Sequence, residues 1–195
     1  MIKTVSVFCS SSNKIDRRYF GEADRLGKIL ALRDIVCYTG AGSSGLMYEV
    51  ERSVLDNGGK CVGVIPQFMI DKKWLHEGLS EVIAVNTMAE RKDILRDVAD
   101  AIIVLAGGVG TFDELFETLA LKQLGLFFKP IIIINTNGYF DEILRMLDKT
   151  VVENFMQEEN KAMWQVISST EELPAALEKP VEWHKDRIKF TYIEG

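Results

Sequence analysis

The chain has 195 residues, 47% hydrophobic and 27% charged, the balance of a folded globular domain long enough to bury a substantial core. A net charge of −6 gives no electrostatic footprint for a nucleic-acid backbone, so DNA and RNA are set aside as partners and a small ligand is favoured. Three cysteines without a C-x-x-C pair, no secretion-type leader and no run long enough to span a bilayer predict a cytoplasmic protein with reduced thiols and no membrane partner.

Residues 5–9 predict a first strand, followed by the polar turn Ser10-Ser11-Ser12-Asn13, whose hydroxyls could meet a ligand or cap a helix. Tyr19, Ala23, Leu26 and Leu30 recur at helical spacing and predict a helix over 16–33, and residues 35–38 a second strand. Gly40-Ala41-Gly42-Ser43-Ser44-Gly45 then matches the G-x-G-x-x-G pattern after a strand and before a helix. The acidic residue that would bind a dinucleotide's ribose about 20 residues on is missing, since the strand over 62–65 ends in Pro66-Gln67. Two readings of this loop stay open: a close approach to a polar ligand, with Gly42 at its centre, or a structural tight turn.

Residues 66–80 read as a loop with a short helical turn, and His76 within it as a surface histidine. Residues 81–85 predict a fourth strand that delivers Asn86-Thr87-Met88-Ala89-Glu90-Arg91-Lys92, where Thr87 and Glu90 fit a helix start. A buried guanidinium keeps its charge and grips carboxylates or phosphates bidentately. Arg91 is therefore a candidate for orienting a substrate or a catalytic carboxylate, with a solvated helix position as the alternative for it and for Lys92.

The stretch from 101 to 125 dominates the chain. Ile102-Ile103-Val104-Leu105 predicts a buried parallel strand, Gly107-Gly108-Val109-Gly110 a tight turn, and Phe112, Leu115, Phe116, Leu119 and Leu124 an amphipathic helix beginning at Thr111. Glycines admit a ligand to the backbone, and the free amides and positive end of the new helix favour an anion, most simply a phosphate. Thr111 can cap the helix or offer its hydroxyl to that phosphate. Glu114 lies three residues on, roughly 4.5 Å along the axis. That offset suits the far side of a ribose, while a capping box with Thr111 is the competing reading.

Residues 130–135 predict another buried strand, 139–148 a helix, and 164–167 a short last strand, after which Thr170 opens a terminal helix. A tail at about 180–195 is undecided between an extra strand and an arm. Alternating strands and helices predict one α/β domain over 1–195, a parallel sheet with helices on both faces and ligands at the strands' carboxyl ends. Both glycine loops, the Ser10 turn and the Arg91 segment follow predicted strands, so a small nucleotide site is expected there.

Several of these motifs resemble those of a known family. Ala106-Gly107-Gly108-Val109-Gly110-Thr111-Phe112-Asp113-Glu114 is similar to the P-G-G-x-G-T-x-x-E signature of the Lonely Guy (LOG) proteins. Met88-Ala89-Glu90-Arg91-Lys92 resembles their M-H-x-R-K motif, and residues 40–47 their G-G-G-x-x-G-L-M loop. Ala106, Ala89 and Leu121 depart from the family's proline, histidine and tryptophan; Ala106 only loosens the loop entry, while Ala89 and Leu121 bear on the identity of the base more than on the reaction.

The resemblance, spanning roughly residues 3–178, implies a Rossmann-like three-layer homodimer. It would release free base and ribose 5-phosphate from a nucleoside 5′-monophosphate, either a cytokinin riboside monophosphate or AMP. It implies Arg91 and Glu114 as the catalytic pair and Gly107, Gly108, Gly110 and Thr111 as the phosphate cradle; Ser10, Gly42, Met88 and Lys92, from the neighbouring segments, are expected as further substrate-binding residues. No cofactor or metal is expected, since His76 and His184 are the only histidines and neither has metal-site spacing. Two rivals remain: a nucleotide carrier without turnover, and a pyridoxal-phosphate decarboxylase, for which Lys92, Lys122 and Lys129 carry no Schiff-base context.

Overall fold

The computed structural model describes residues 2–181 and Trp183. Its centre is a seven-stranded sheet: β1 (Thr4–Phe8), β2 (Val36–Thr39), β3 (Cys61–Pro66), β4 (Glu81–Val85), β5 (Ala101–Val104), β6 (Ile131–Ile134) and β7 (Gln165–Ile167). The strands run in the order β4-β3-β2-β1-β5-β6-β7 and every pairing is parallel. Parallel neighbours require crossovers, and six helices supply them: α1 (Arg17–Leu32), α2 (Gly45–Asp56), α3 (Gln67–Asp71), α4 (Met88–Val98), α5 (Val109–Gln123) and α6 (Asp141–Val152), with α7 (Leu173–Glu178) following the last strand.

The short β-branched strands bury both faces because side chains alternate across a strand. Val5 and Val7 of β1, Ile103 of β5 and Ile132 and Ile134 of β6 pack under α1, α2 and α7. Phe8, Ile102, Val104, Ile131 and Ile133 pack on the other side with Leu95 of α4 and Leu115 and Leu119 of α5. The predicted three-layer α/β sandwich is therefore the observed one. Cys9, Cys37 and Cys61 are buried free thiols, as expected. Among the described residues no helix is long and apolar enough to cross a membrane.

Four local expectations change. Helix α5 begins at Val109, with Gly108 as its N-cap, so Thr111 is an interior residue of the first turn. Residues 136–138 form a 3-10 turn with Asn137 at φ 55°, which delays α6 to Asp141. Thr170 makes no side-chain cap; its backbone N–H and hydroxyl donate to Glu22 Oε2 at 2.7 and 2.6 Å, tying the end of the chain to α1. His76 is not a surface residue, because Glu51 and the ring of Tyr48 hold it. Trp183 is buried and donates its indole N–H to Lys122 O at 2.9 Å, while the rest of the expected tail, with His184, lies outside the described residues.

This order places the functional loops. The connection out of β1 goes to one side of the sheet and that out of β5 to the other, so a crevice opens between their carboxyl ends.

Candidate active site

A cavity of about 560 Å³ fills that crevice. Ser10 enters it from the end of β1, Gly42 from the loop after β2, Met88 from the start of α4, and Gly108, Gly110 and Thr111 from the start of α5. Arg91 and Glu114 also line it. Eight of the ten predicted site residues are thus brought together.

The other two have different places. Gly107 is a packing glycine: a Cβ there would lie 2.0 Å from Thr111 Oγ1, and its carbonyl accepts the Tyr139 hydroxyl at 2.6 Å. Lys92 does not line the cavity; its Nζ lies 3.0 Å from Asp113 Oδ2 and 2.9 Å from Glu117 Oε2 and so fastens α4 to α5.

The two glycine loops differ in what their amides are free to do. At the start of α2, Gly45 N–H donates to Asn13 Oδ1, and Leu46 and Met47 N–H both donate to Ser10 O. The polar turn after β1 therefore serves as a cap for α2 through its backbone, and that helix end is spoken for. At the start of α5, Phe112 N–H closes the first turn on Gly108 O, leaving the Val109, Gly110 and Thr111 amides without intrahelical acceptors. Of the two loops, the second is the one whose helix-start amides stay open to an acceptor.

Arg91 and Glu114 form a buried pair on the cavity floor, 6% and 7% exposed, with Nη2 3.3 Å from Oε1. Thr87 sets up this geometry from one side by accepting the Glu90 N–H at 3.1 Å, which caps α4 and turns Arg91 inward. Glu114 arrives from the second turn of α5 and makes no capping bond to Thr111, so the capping-box reading is replaced by the pair with Arg91. Gly40 completes the seat, because a Cβ on it would lie 1.9 Å from Arg91 Nη2.

The guanidinium is under-satisfied. Nη1 faces only the sulfurs of Met69 and Met88, at 3.9 and 3.8 Å, and Nε is buried with no hydrogen-bond partner among the described residues. Five donors served by one carboxylate oxygen and two weak sulfur acceptors leave capacity for a ligand oxygen. Burial pushes the Glu114 carboxyl up to about 7, against the opposing pull of Arg91. A carboxyl that exchanges its proton near neutrality beside a fixed cation is suited to acid–base work.

Sequence reasoning missed part of the wall. Ile65, Met47, Met69 and Trp74 give the cavity an apolar side, and Ser11, Ser12, Ser43 and Ser44 add hydroxyls. The serines were legible as neighbours of residues already marked, but nothing in the spacing of Met69 or Trp74 says that the loop over 66–80 folds back over the sheet.

The family described as "Possible lysine decarboxylase" matches residues 47–177. Cytokinin riboside 5′-monophosphate phosphoribohydrolase LOG2 of Arabidopsis thaliana is 35% identical over 186 residues, 95% of this chain and 87% of that protein. The enzyme of the same name numbered LOG5, also from Arabidopsis thaliana, is 38% identical over 181 residues, 92% of this chain and 79% of its own length. The chain belongs to the LOG family. Among solved structures, the molybdenum cofactor carrier protein of Chlamydomonas reinhardtii superposes with a TM-score of 0.70 at 19% identity, covering 92% of this chain and 98% of that one. That likeness shows the shared fold. The LOG-family motifs noted in the sequence, around Gly40, Arg91 and Glu114, converge on the one cavity.

Proposed function

We propose that the protein hydrolyses the N-glycosidic bond of a nucleoside 5′-monophosphate to free base and ribose 5-phosphate. The observation that carries this is the buried Arg91–Glu114 pair in the same cavity as the open N-terminus of α5. The 5′-phosphate sits on the amides of Val109, Gly110 and Thr111, with the Thr111 hydroxyl beside it. The ribose then lies over Glu114.

Breaking the bond to the base develops positive charge on the sugar, as in O-glycoside hydrolysis. The Glu114 carboxylate stabilises that charge and takes a proton from the attacking water, while Arg91 orients the carboxylate and offers its unused N–H groups to a substrate oxygen. The phosphate, remote from the reacting carbon, contributes binding energy that holds the ribose in register. The thioether and indole side of the cavity receives the planar base.

AMP and cytokinin riboside monophosphates are the substrates we favour, the latter because relatives at 35–38% identity carry that name. A carrier would keep the anion seat but has no use for a carboxyl titrating near neutrality against a buried arginine. A pyridoxal-phosphate decarboxylase needs a lysine in the cavity. Lys92 is held by two carboxylates, Lys122 Nζ donates to Lys129 O, and Lys129 Nζ donates to the carbonyls of Arg96 and Asp97, so none is presented to a ligand.

We also infer a cytoplasmic homodimer: Phe116, Ala120 and Leu124 form an exposed apolar stripe along α5, continued by Leu126. The phosphate anchor is tested by comparing AMP with adenosine. Loss of the phosphate should lower kcat/KM at least about a hundredfold, and equal rates would remove the anchor from the account.

A further inference from the structure

Behind the cavity wall lies a second ionisable pair, a buried carboxylate with a half-buried histidine, which the proposed reaction does not use. Glu51 of α2 is fully buried with both oxygens engaged: Oε1 accepts the Thr39 hydroxyl at 2.5 Å and Oε2 meets His76 Nδ1 at 2.8 Å. The Tyr48 ring covers His76 edge to face, centroids 4.8 Å apart. Neither Glu51 nor His76 lines the cavity.

What the pair holds is the junction of two wall segments. Ala41 sits in the left-handed region at φ 61°, fixed by its N–H donating to Thr39 Oγ1 at 3.1 Å and its carbonyl accepting the His76 N–H at 2.9 Å. Ser43 N–H donates to Trp74 O at 2.8 Å, and Gly42 bridges Leu75. The loop after β2 and the segment 74–76 are thus zipped together, with Glu51 clamping both edges of the zip through Thr39 and His76. Gly42, Ser43 and Trp74 are cavity residues, so where the zip sits decides where that wall sits.

A hydrogen-bonded polar pair tucked under two loops is a weak source of stability compared with apolar side chains of the same volume, and its use is more readily found in fixed geometry. The Arg91–Glu114 pair, by contrast, is held from α4 and α5. We propose that Glu51 and His76 are positioning residues that set the Gly42–Ser43–Trp74 wall against the bound nucleotide and thereby govern substrate affinity rather than the chemical step. This rests on the nucleotide reading of the site.

The test uses the full-length protein with His76→Leu, His76→Asn and the double variant Glu51→Gln/His76→Leu. Asparagine keeps a donor near the Nδ1 position, and the double variant leaves no buried carboxylate unpaired, so one of them serves if His76→Leu does not fold. His76→Leu and the double variant should raise KM for AMP about tenfold with kcat within about twofold, and His76→Asn should recover most of the loss. Amide hydrogen exchange over residues 40–47 and 72–78 should quicken in the leucine variants and stay near wild type in His76→Asn. Unchanged KM in variants that merely melt earlier, or a fall in kcat matching any change in KM, would overturn the proposal. If the wild type releases no base from any nucleotide, the functional reading fails by itself. Exchange still judges the strut: unaltered protection of both segments in the leucine variants would sink it.

Discussion

At the scale of single residues, the account turns on Glu114. Its carboxyl is raised to about 7 by burial, so in the free protein the reactive carboxylate forms only as pH climbs through neutrality. The profile of kcat/KM against pH should therefore show an acid limb near pH 7, and Glu114→Gln should lose on the order of a hundredfold or more in kcat. The same shift enters stability with a definite sign. The folded state binds this proton more tightly than the unfolded chain, so the contribution is fully present below about 4.5 and is lost as pH rises through about 7. Unfolding measured by denaturant at pH 5 and pH 8 should show the wild type losing more stability over that interval than Glu114→Gln. A larger loss in the variant would contradict the assigned direction. Gly40 is the other decisive position, since its missing side chain is where the Arg91 guanidinium lies. Gly40→Ala should displace that group and cut kcat on the order of tenfold to a hundredfold, read by steady-state kinetics. The importance of Gly40 could be seen in the sequence only as one glycine among three; its contact with Arg91, 51 positions later, could not.

At the scale of elements, two helix N-termini with similar sequence signals have opposite uses. Both follow a glycine loop after a strand, yet the α2 terminus is closed by Ser10 and Asn13 and the α5 terminus is open. Local spacing reveals the glycines and a helix after each loop, although α5 starts at Val109, two residues before the expected Thr111. Which amides are consumed depends on where the β1 turn lies, a tertiary fact. Gly45 shows the cost of that closure: it has φ 68°, and a Cβ on it would lie 2.3 Å from the Ser11 carbonyl carbon. Gly45→Ala should destabilise the fold by about 2 kcal/mol or more, measured by denaturant unfolding. His76 is the counterpart error. A lone histidine in a polar loop reads as solvated, and only the return of that loop over α2 brings it to Glu51.

At the scale of the whole molecule, alternation of β-branched runs with amphipathic segments was enough to predict a parallel sheet with helices on both faces. The strand order, with its reversal between β1 and β5, then explains why the site lies where it does. Eight of the ten predicted residues line the cavity because the loops and helix starts that carry them come next after strands. The apolar wall escaped notice because Met69, on the short α3, and Trp74, just after it, belong to an excursion between β3 and β4 whose fold-back no local spacing marks. The exposed stripe of Phe116, Ala120 and Leu124 on α5 belongs to this scale too. Sedimentation equilibrium should give twice the 22.0 kDa chain mass, and Phe116→Glu with Leu124→Glu should shift it to the monomer. A wild type that sediments as a monomer would remove the homodimer from the account.

The central claim is that Glu114, gripped by Arg91, cleaves a nucleoside monophosphate at its glycosidic bond. Chromatographic product analysis after incubation with AMP, wild type beside Glu114→Gln, tests it most directly. The account predicts adenine and ribose 5-phosphate in equal amounts from the wild type and neither from the variant. Nucleotides that bind but come away intact from the wild type, across AMP and a panel of other nucleoside monophosphates, would contradict it and leave a carrier in its place.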